Sequence, residues 1–394
     1  MPRPMPIDPK LGINAAVREA AEASAQGRDA PEEAGDKASA KKRRKRKPKE
    51  PDDAPPRQSR DLALLPKAHL HLHFTGSLSV TALVALADAD HERLPEELTN
   101  TQAFSAPATT KGWFRFQRLY NIARHFVRGE AAMRAVVANA AVLDAADGSR
   151  RLELQIDPTN YAGAVGGIIN ALEIVLDEAA SASQRTGVQV GIIVAASRLR
   201  HPIEARTLAR LAARYAGTGP GSVVGFGLSN DEWAGDTPAW EGAFRIARNA
   251  GLGGVPHGGE MRGPDHVSTV LASLQPARLG HGIRASEDDR LLDMLIAQNV
   301  AFEVCPSSNV HLGVYPSLDA VPLRKLANAG ATIALGADDP LLFLSRLNDQ
   351  YVIARDMGFS DEELADLARS SIKASFASDE DKAGWLAEID AWLA

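Results

Sequence analysis

Histidines and acids recur in this sequence where short apolar runs end, and their types suit metal-assisted hydrolysis. His71-Leu72-His73 closes the run Ala68–His73. Residues i and i+2 of a strand share a face, so two imidazoles there converge on one point, as a transition metal requires. His69 alternates onto the same face, and the pattern alone does not decide which two histidines ligate. Pro256-His257-Gly258-Gly259-Glu260 ends a second run. Its histidine is a third candidate ligand, its glycines admit close approach of backbone to a ligand, and the Glu260 carboxylic acid could protonate a substrate nitrogen. Gly280-His281-Gly282 sets a histidine beside room for substrate. Gly336-Ala337-Asp338-Asp339-Pro340 ends a last run with adjacent carboxylates, which repel unless a cation or a donor compensates. Each motif has a plainer reading: half-exposed strand histidines, a capped loop exit, a histidine that holds a loop, an exposed turn. Their shared position at strand ends is what argues for chemistry.

Elements that alternate along the chain explain that shared position. Strand patterns fall at Ala68–His73, Leu152–Ile156, Val188–Ala195, Ser222–Leu228, Gly254–His257, Ala277–His281, Ala301–Cys305 and Thr332–Ala337. Helical patterns between them include Val80–Asp90, Ile169–Thr186, Ile203–Tyr215, Trp240–Ala250, Glu287–Gln298 and Leu323–Ala329. Strand and helix in alternation predict a parallel sheet, and eight strands in one domain predict a closed (β/α)8 TIM barrel. Such barrels keep their active sites at the C-terminal strand ends, where all four motifs would meet. Three histidines and an aspartate make a zinc shell with one position left for water. The interval 91–150 is longer than a crossover needs and carries a helical pattern over Phe114–Val127. It is expected to be an insertion over the barrel mouth.

Composition divides the 394 residues in two. Residues 1–60 carry 15 Lys+Arg against 10 Asp+Glu, while the remainder carries 29 against 40. The first segment is poor in aromatic residues and rich in Ala, Pro, Glu and Lys, so it is expected to be a disordered basic tail. Ile13–Ala25 could form a transient helix. The run from Lys41 to Lys49 could anchor on nucleic acid or another anionic surface, but the acidic body argues against a nucleic-acid partner. The barrel is expected over 61–394. No apolar run reaches the roughly 18 residues of a membrane span, and the start Met-Pro-Arg-Pro lacks the apolar core of a secretory signal. The single cysteine, Cys305, excludes an intramolecular disulfide and fits a reducing cytoplasm. It also excludes the Pro-Cys-x-x-Cys zinc deaminase pattern. There is neither a Gly-x-Ser-x-Gly elbow nor a Walker A loop.

Taken together, Pro66-Lys67-Ala68-His69-Leu70-His71-Leu72-His73, Pro256-His257-Gly258-Gly259-Glu260, Gly280-His281-Gly282, Cys305-Pro306-Ser307-Ser308-Asn309 and Asp338-Asp339-Pro340 resemble the adenosine deaminase family of the amidohydrolase superfamily. The resemblance covers residues 61–394 in order, and residues 1–60 have no counterpart in it. It implies that His71, His73, His257 and Asp338 hold one catalytic zinc per chain. It further implies that Glu260 protonates N1 of a purine, that His281 activates the attacking water, and that Asp339 contacts N7. The implied reaction is hydrolytic deamination of adenosine or a related 6-aminopurine nucleoside, giving the 6-oxopurine and ammonia. Two positions depart from the family. Thr75 stands where the family has an aspartate for the ribose 5′-hydroxyl, and Asn230 stands where it has a glycine whose N–H meets N3. Both are expected to contact substrate. Because both departures concern recognition, adenine, N6-substituted adenine and aminodeoxyfutalosine stay open as substrates. A binding protein that kept the fold and lost the chemistry is disfavoured, since every implied ligand and Glu260 are present.

Overall fold

Strands built mostly from Val, Ile, Leu and Ala are buried on both faces, as parallel strands covered by helices must be. In the computed structural model, which describes residues 59–99 and 102–394, eight of them form one sheet. They are β1 (Lys67–His73), β2 (Ser149–Ile156), β3 (Gln189–Ser197), β4 (Val223–Ser229), β5 (Gly253–Gly258), β6 (Arg278–His281), β7 (Ala301–Val304) and β8 (Ile333–Leu335). Every neighbouring pair is parallel, in the order β1 to β8. The ring closes just beyond β8, where Asp338 N–H donates to the His71 carbonyl at 3.1 Å and His73 N–H donates to the Asp338 carbonyl at 3.0 Å. The chain is therefore a (β/α)8 barrel, and all eight sequence patterns fall on its strands. Asp61–Ala394 form one compact unit. The expected tail, with its helical stretch and basic run, lies outside the described residues but for its last two.

The expected helices are present within a residue or two, for example Val80–Ala89, Ile168–Thr186, Pro202–Arg214 and Glu241–Asn249. The interval between β1 and β2 separates into two parts. Helix Thr110–His125 presents Trp113, Phe116, Gln117, Tyr120 and Arg124 to the cavity at the barrel mouth, as an insertion would. Helix Gly129–Ala146 instead buries Met133, Val136, Val137 and Ala140 in the main core, as a crossover helix does. Helices Leu347–Asp356, Asp361–Ala374 and Asp379–Leu393 complete the chain. The second of these opens on a capping box between Ser360 and Glu363, which satisfies two end N–H groups reciprocally.

The barrel floor is polar. Arg151 Nε lies 3.1 Å from Glu153 Oε1, and Glu153 Oε2 lies 2.6 Å from Arg278 Nη2. Arg278 Nε then lies 2.6 Å from Glu303 Oε1. All four residues are fully buried or nearly so. Buried charges must be paired and hydrogen-bonded to be tolerated, and this ladder pairs each of them directly beneath the strand ends. No helix among the described residues is long and apolar enough to cross a membrane.

Candidate active site

The four motifs meet at the C-terminal strand ends. His71 and His73 come from β1, His257 from β5, His281 from β6, and Asp338 and Asp339 from just beyond β8. His73 Nε2 and His71 Nε2 lie 3.1 and 3.4 Å from Asp338 Oδ1. His257 Nε2 lies 3.2 Å from His73 Nε2. Four-coordinate zinc with bonds of about 2.0–2.1 Å holds its ligand atoms about 3.3 Å apart. The spacing therefore fits one small cation, and His71 Nε2 is buried with no hydrogen-bond partner. Overlapping triads with metal-ligand spacing are His71, His73 and Asp338; His71, His257 and His281; and Glu260, His281 and Asp338.

The remaining atoms of these side chains are held from behind. His71 Nδ1 lies 2.6 Å from Glu303 Oε2, so the floor ladder ends on a candidate ligand. His257 Nδ1 lies 3.1 Å from the Leu228 carbonyl. Ser308 Oγ donates to Asp338 Oδ2 at 2.6 Å. Such partners fix ring orientation and tautomer at metal sites. Gly280 gives room to the cluster, because a Cβ there would lie 3.0 Å from the His257 ring and 3.1 Å from the His71 ring.

His69, left open by the alternation, is not part of the cluster. The β1–β2 register shifts between His69 and Leu72, and this irregularity breaks the alternation. His69 Nδ1 instead meets Asp144 Oδ1 at 2.9 Å, and its Nε2 accepts Ala337 N–H at 3.1 Å.

Burial sets the protonation of the flanking groups. Burial and the nearby Asp338 and Glu232 charges push the Glu260 carboxyl well above the usual carboxylate range. Burial and Asp338 do the same to Asp339. Burial and the His71 ring push His281 down to about 3, leaving it neutral. Neither nitrogen of His281 has a partner, and its Nε2 lies 3.7 Å from Glu260 Oε1. Burial and the surrounding imidazoles also hold His257 well below its usual value. Burial opposes charge on His71, but the neighbouring Asp338 and Glu303 carboxylates outweigh it and raise its pKa to about 10.

Backbone conformation places three of these residues. Asp338, His281 and Asn230 have φ of 61°, 63° and 77°, a left-handed region that costs most residues energy. Asn is among the few side chains that enter it readily. At the position where the family has glycine, the Asn230 side chain could be expected to point toward a base. It turns back instead, and its Oδ1 accepts Asp231 N–H at 2.8 Å.

An inner cavity of about 80 Å³, lined by His73, His257, Glu260, His281, Asp338, Asp339 and Asn230, adjoins a vestibule of about 1020 Å³. Thr75, expected beside the substrate, is absent from this lining. It is fully buried in the short 3-10 turn after β1, with Oγ1 2.7 Å from the Tyr161 hydroxyl. Tyr161 and Tyr120 line the cavity in its stead. The motif reading also missed Gln155 and Asp157, which line the cavity from β2 and its exit. Glu232 was missed as well. It accepts the backbone N–H groups of Glu260, Met261 and Arg262 at 3.2, 2.7 and 2.7 Å and so fixes the Glu260 loop. Gln155 and Asp157 belong to no motif with recognisable spacing, and Glu232 was legible only as part of the Asp231-Glu232 pair after Asn230, with no role attached.

A barrel with histidines and acids meeting at its C-terminal strand ends has the architecture of an amidohydrolase. A model of the adenosine deaminase family matches residues 66–392. A Streptomyces virginiae protein, named provisionally as an adenosine/adenine deaminase, is 53% identical over 337 residues, covering 85% of this chain and 98% of that protein. An adenine deaminase from Ralstonia nicotianae is 31% identical over 343 residues, covering 84% of this chain and 95% of that protein. The crystal structure of an adenine deaminase from Arthrobacter aurescens superposes with a TM-score of 0.75 at 28% identity, covering 83% of this chain and 99% of that one. The chain belongs to the adenosine deaminase family.

Proposed function

We propose that the chain hydrolyses the 6-amino group of an adenine compound at one zinc ion held by His71, His73, His257 and Asp338. The observation that carries this is the convergence of three Nε2 atoms and Asp338 Oδ1 at 3.1–3.4 Å, flanked by Glu260 and His281. Zinc bound there would lower the pKa of water from 15.7 toward about 7 and so supply hydroxide at neutral pH. His281, neutral and without a partner, takes the proton that the water gives up. Glu260, its carboxyl pushed well up by burial, donates a proton to N1 as C6 becomes tetrahedral, so the ring need not carry negative charge. Asp339, whose carboxyl is likewise pushed well up by burial, donates to N7, and the Asn230 N–H donates to N3. The C6–N bond then breaks as the leaving amine takes the proton held by His281, the C6 hydroxyl gives its proton back to Glu260 as it becomes the carbonyl, and ammonia departs from a 6-oxopurine.

The sequence reading put a nucleoside first. The site favours the free base. Thr75 is turned into its tyrosine partner and does not line the cavity, so it is not placed to hold a ribose 5′-hydroxyl. The Ralstonia and Arthrobacter relatives are both adenine deaminases by name.

Elemental analysis of active protein should find one zinc per chain; active protein without any divalent metal contradicts the proposal. Glu260→Gln should keep the metal and lose turnover by about 10²–10⁴, because glutamine preserves the shape and cannot deliver the proton. Near-wild-type turnover in that variant removes Glu260 from its role.

A further inference from the structure

Two polar side chains face the inner cavity and have no part in the chemistry above. Gln155 is 1% exposed, and neither its Oε1 nor its Nε2 has a hydrogen-bond partner. Asp157 Oδ1 accepts Thr159 N–H at 3.0 Å and Thr159 Oγ at 2.6 Å, but its Oδ2 is buried with no hydrogen-bond partner. The cation facing that oxygen, Arg200 Nε, stands 3.8 Å away. A buried polar atom without a partner costs about 1–3 kcal/mol. One such side chain near the end of β2 and another just past it, both lining the inner cavity, mark a place where a ligand supplies the missing partner. Room for that ligand is kept by small neighbours. A Cβ on Gly227 would lie 3.2 Å from Ala195 Cβ and 3.5 Å from Gln155 Oε1.

The strand order says which part of the ligand comes here. This argument rests on the proposed roles of Glu260 and Asp339. Glu260, after β5, takes N1, and Asp339, after β8, takes N7, so C6 lies between them at the metal. The rest of a purine perimeter runs from N7 through N9 and N3 to N1. It must face the arc β1, β2, β3, β4, which follows in that order around the barrel. Asn230, at the exit of β4, then falls at N3. Gln155 on β2 and Asp157 at its exit fall at N9. A free base carries N9–H, a donor; a nucleoside carries a sugar there and has no hydrogen to give. Both side chains offer acceptors at this point: the Gln155 amide oxygen and the free Asp157 oxygen. We propose that Gln155 and Asp157 form the specificity subsite that accepts N9–H and selects an unsubstituted 6-aminopurine base over its N9-substituted forms.

The test compares kcat/KM for adenine and 9-methyladenine in the zinc-loaded full-length protein and in Gln155→Leu and Asp157→Asn. The second variant keeps the acceptor for Thr159, which guards against misfolding of the β2 exit. Wild type should prefer adenine by 10²-fold or more, since a site built to bond an N–H rejects the analogue that lacks it. Each variant should lose about 10- to 100-fold on adenine and less on 9-methyladenine, so the ratio narrows while zinc content is unchanged. Equal losses on both substrates, or a wild type that does not discriminate, would overturn the subsite and leave the deaminase reading standing. A zinc-loaded wild type that deaminates no 6-aminopurine would end both.

Discussion

At the residue scale, the site depends on side chains that hold other side chains. Gly76 shows how tightly. A Cβ there would come within 1.7 Å of Asp339 Oδ1, so the turn after β1 must pass with bare backbone. Glu303 shows the same dependence through hydrogen bonding, since one oxygen holds His71 Nδ1 and the other holds Arg278 Nε. Glu303→Gln should weaken zinc binding about 10- to 100-fold, as loss of a partner behind a metal ligand does. Competition with a chelator measures this, and unchanged affinity would show that His71 needs no such support. The candidate ligands and Glu260 were legible because histidine and acid at strand ends form short motifs. Glu303, Ser308, Gln155 and Asp157 were not, because one polar residue inside a strand or loop reads the same whether it faces a ligand, an ion ladder or water. Thr75 was legible as a departure from the family, but its burial against Tyr161 depends on a contact 86 residues away in sequence.

At the scale of elements, eight strands were recoverable because a short apolar run bounded by glycine, proline or a polar turn has few other meanings. Strand ends were less recoverable, and so was the irregularity in β1 that removes His69 from the histidine cluster. The insertion was visible as excess length, but its division into a mouth helix and a crossover helix appears only from which face each buries. Helix Pro264–Leu274 carries a consequence for stability. Burial, with Arg198 and Arg262 nearby, lowers its His266 to a pKa of about 3, from 6.5 in an unfolded chain. The folded state therefore holds His266 neutral where the unfolded chain binds a proton. Stability is intact above about pH 6.5 and falls as the pH drops from there toward 3, by up to about 2 kcal/mol at pH 5 from this group. The Tm difference between pH 8 and pH 5 should shrink in His266→Gln. An unchanged difference would show that His266 is not titrating in the unfolded chain alone.

At the scale of the whole molecule, every candidate site residue and the family match fall within residues 61–394. The basic segment before them carries none. A chain truncated to begin at Asp61 should fold, bind zinc and keep turnover within about twofold of the full chain. Loss of turnover in a folded, zinc-loaded truncation would make residues 1–60 part of the site. The fold, the closing of the barrel by Asp338 on β1, the ion ladder on its floor and the buried acids at its mouth all fit the one proposed reaction. The most direct measurement is the yield of ammonia and 6-oxopurine when the zinc-loaded full-length chain is given adenine. The site as described predicts the two products in equal amounts, formed catalytically and abolished by His257→Ala together with the bound metal. A zinc-loaded chain that leaves adenine and its nucleosides unchanged, or that remains active in His257→Ala, would contradict it.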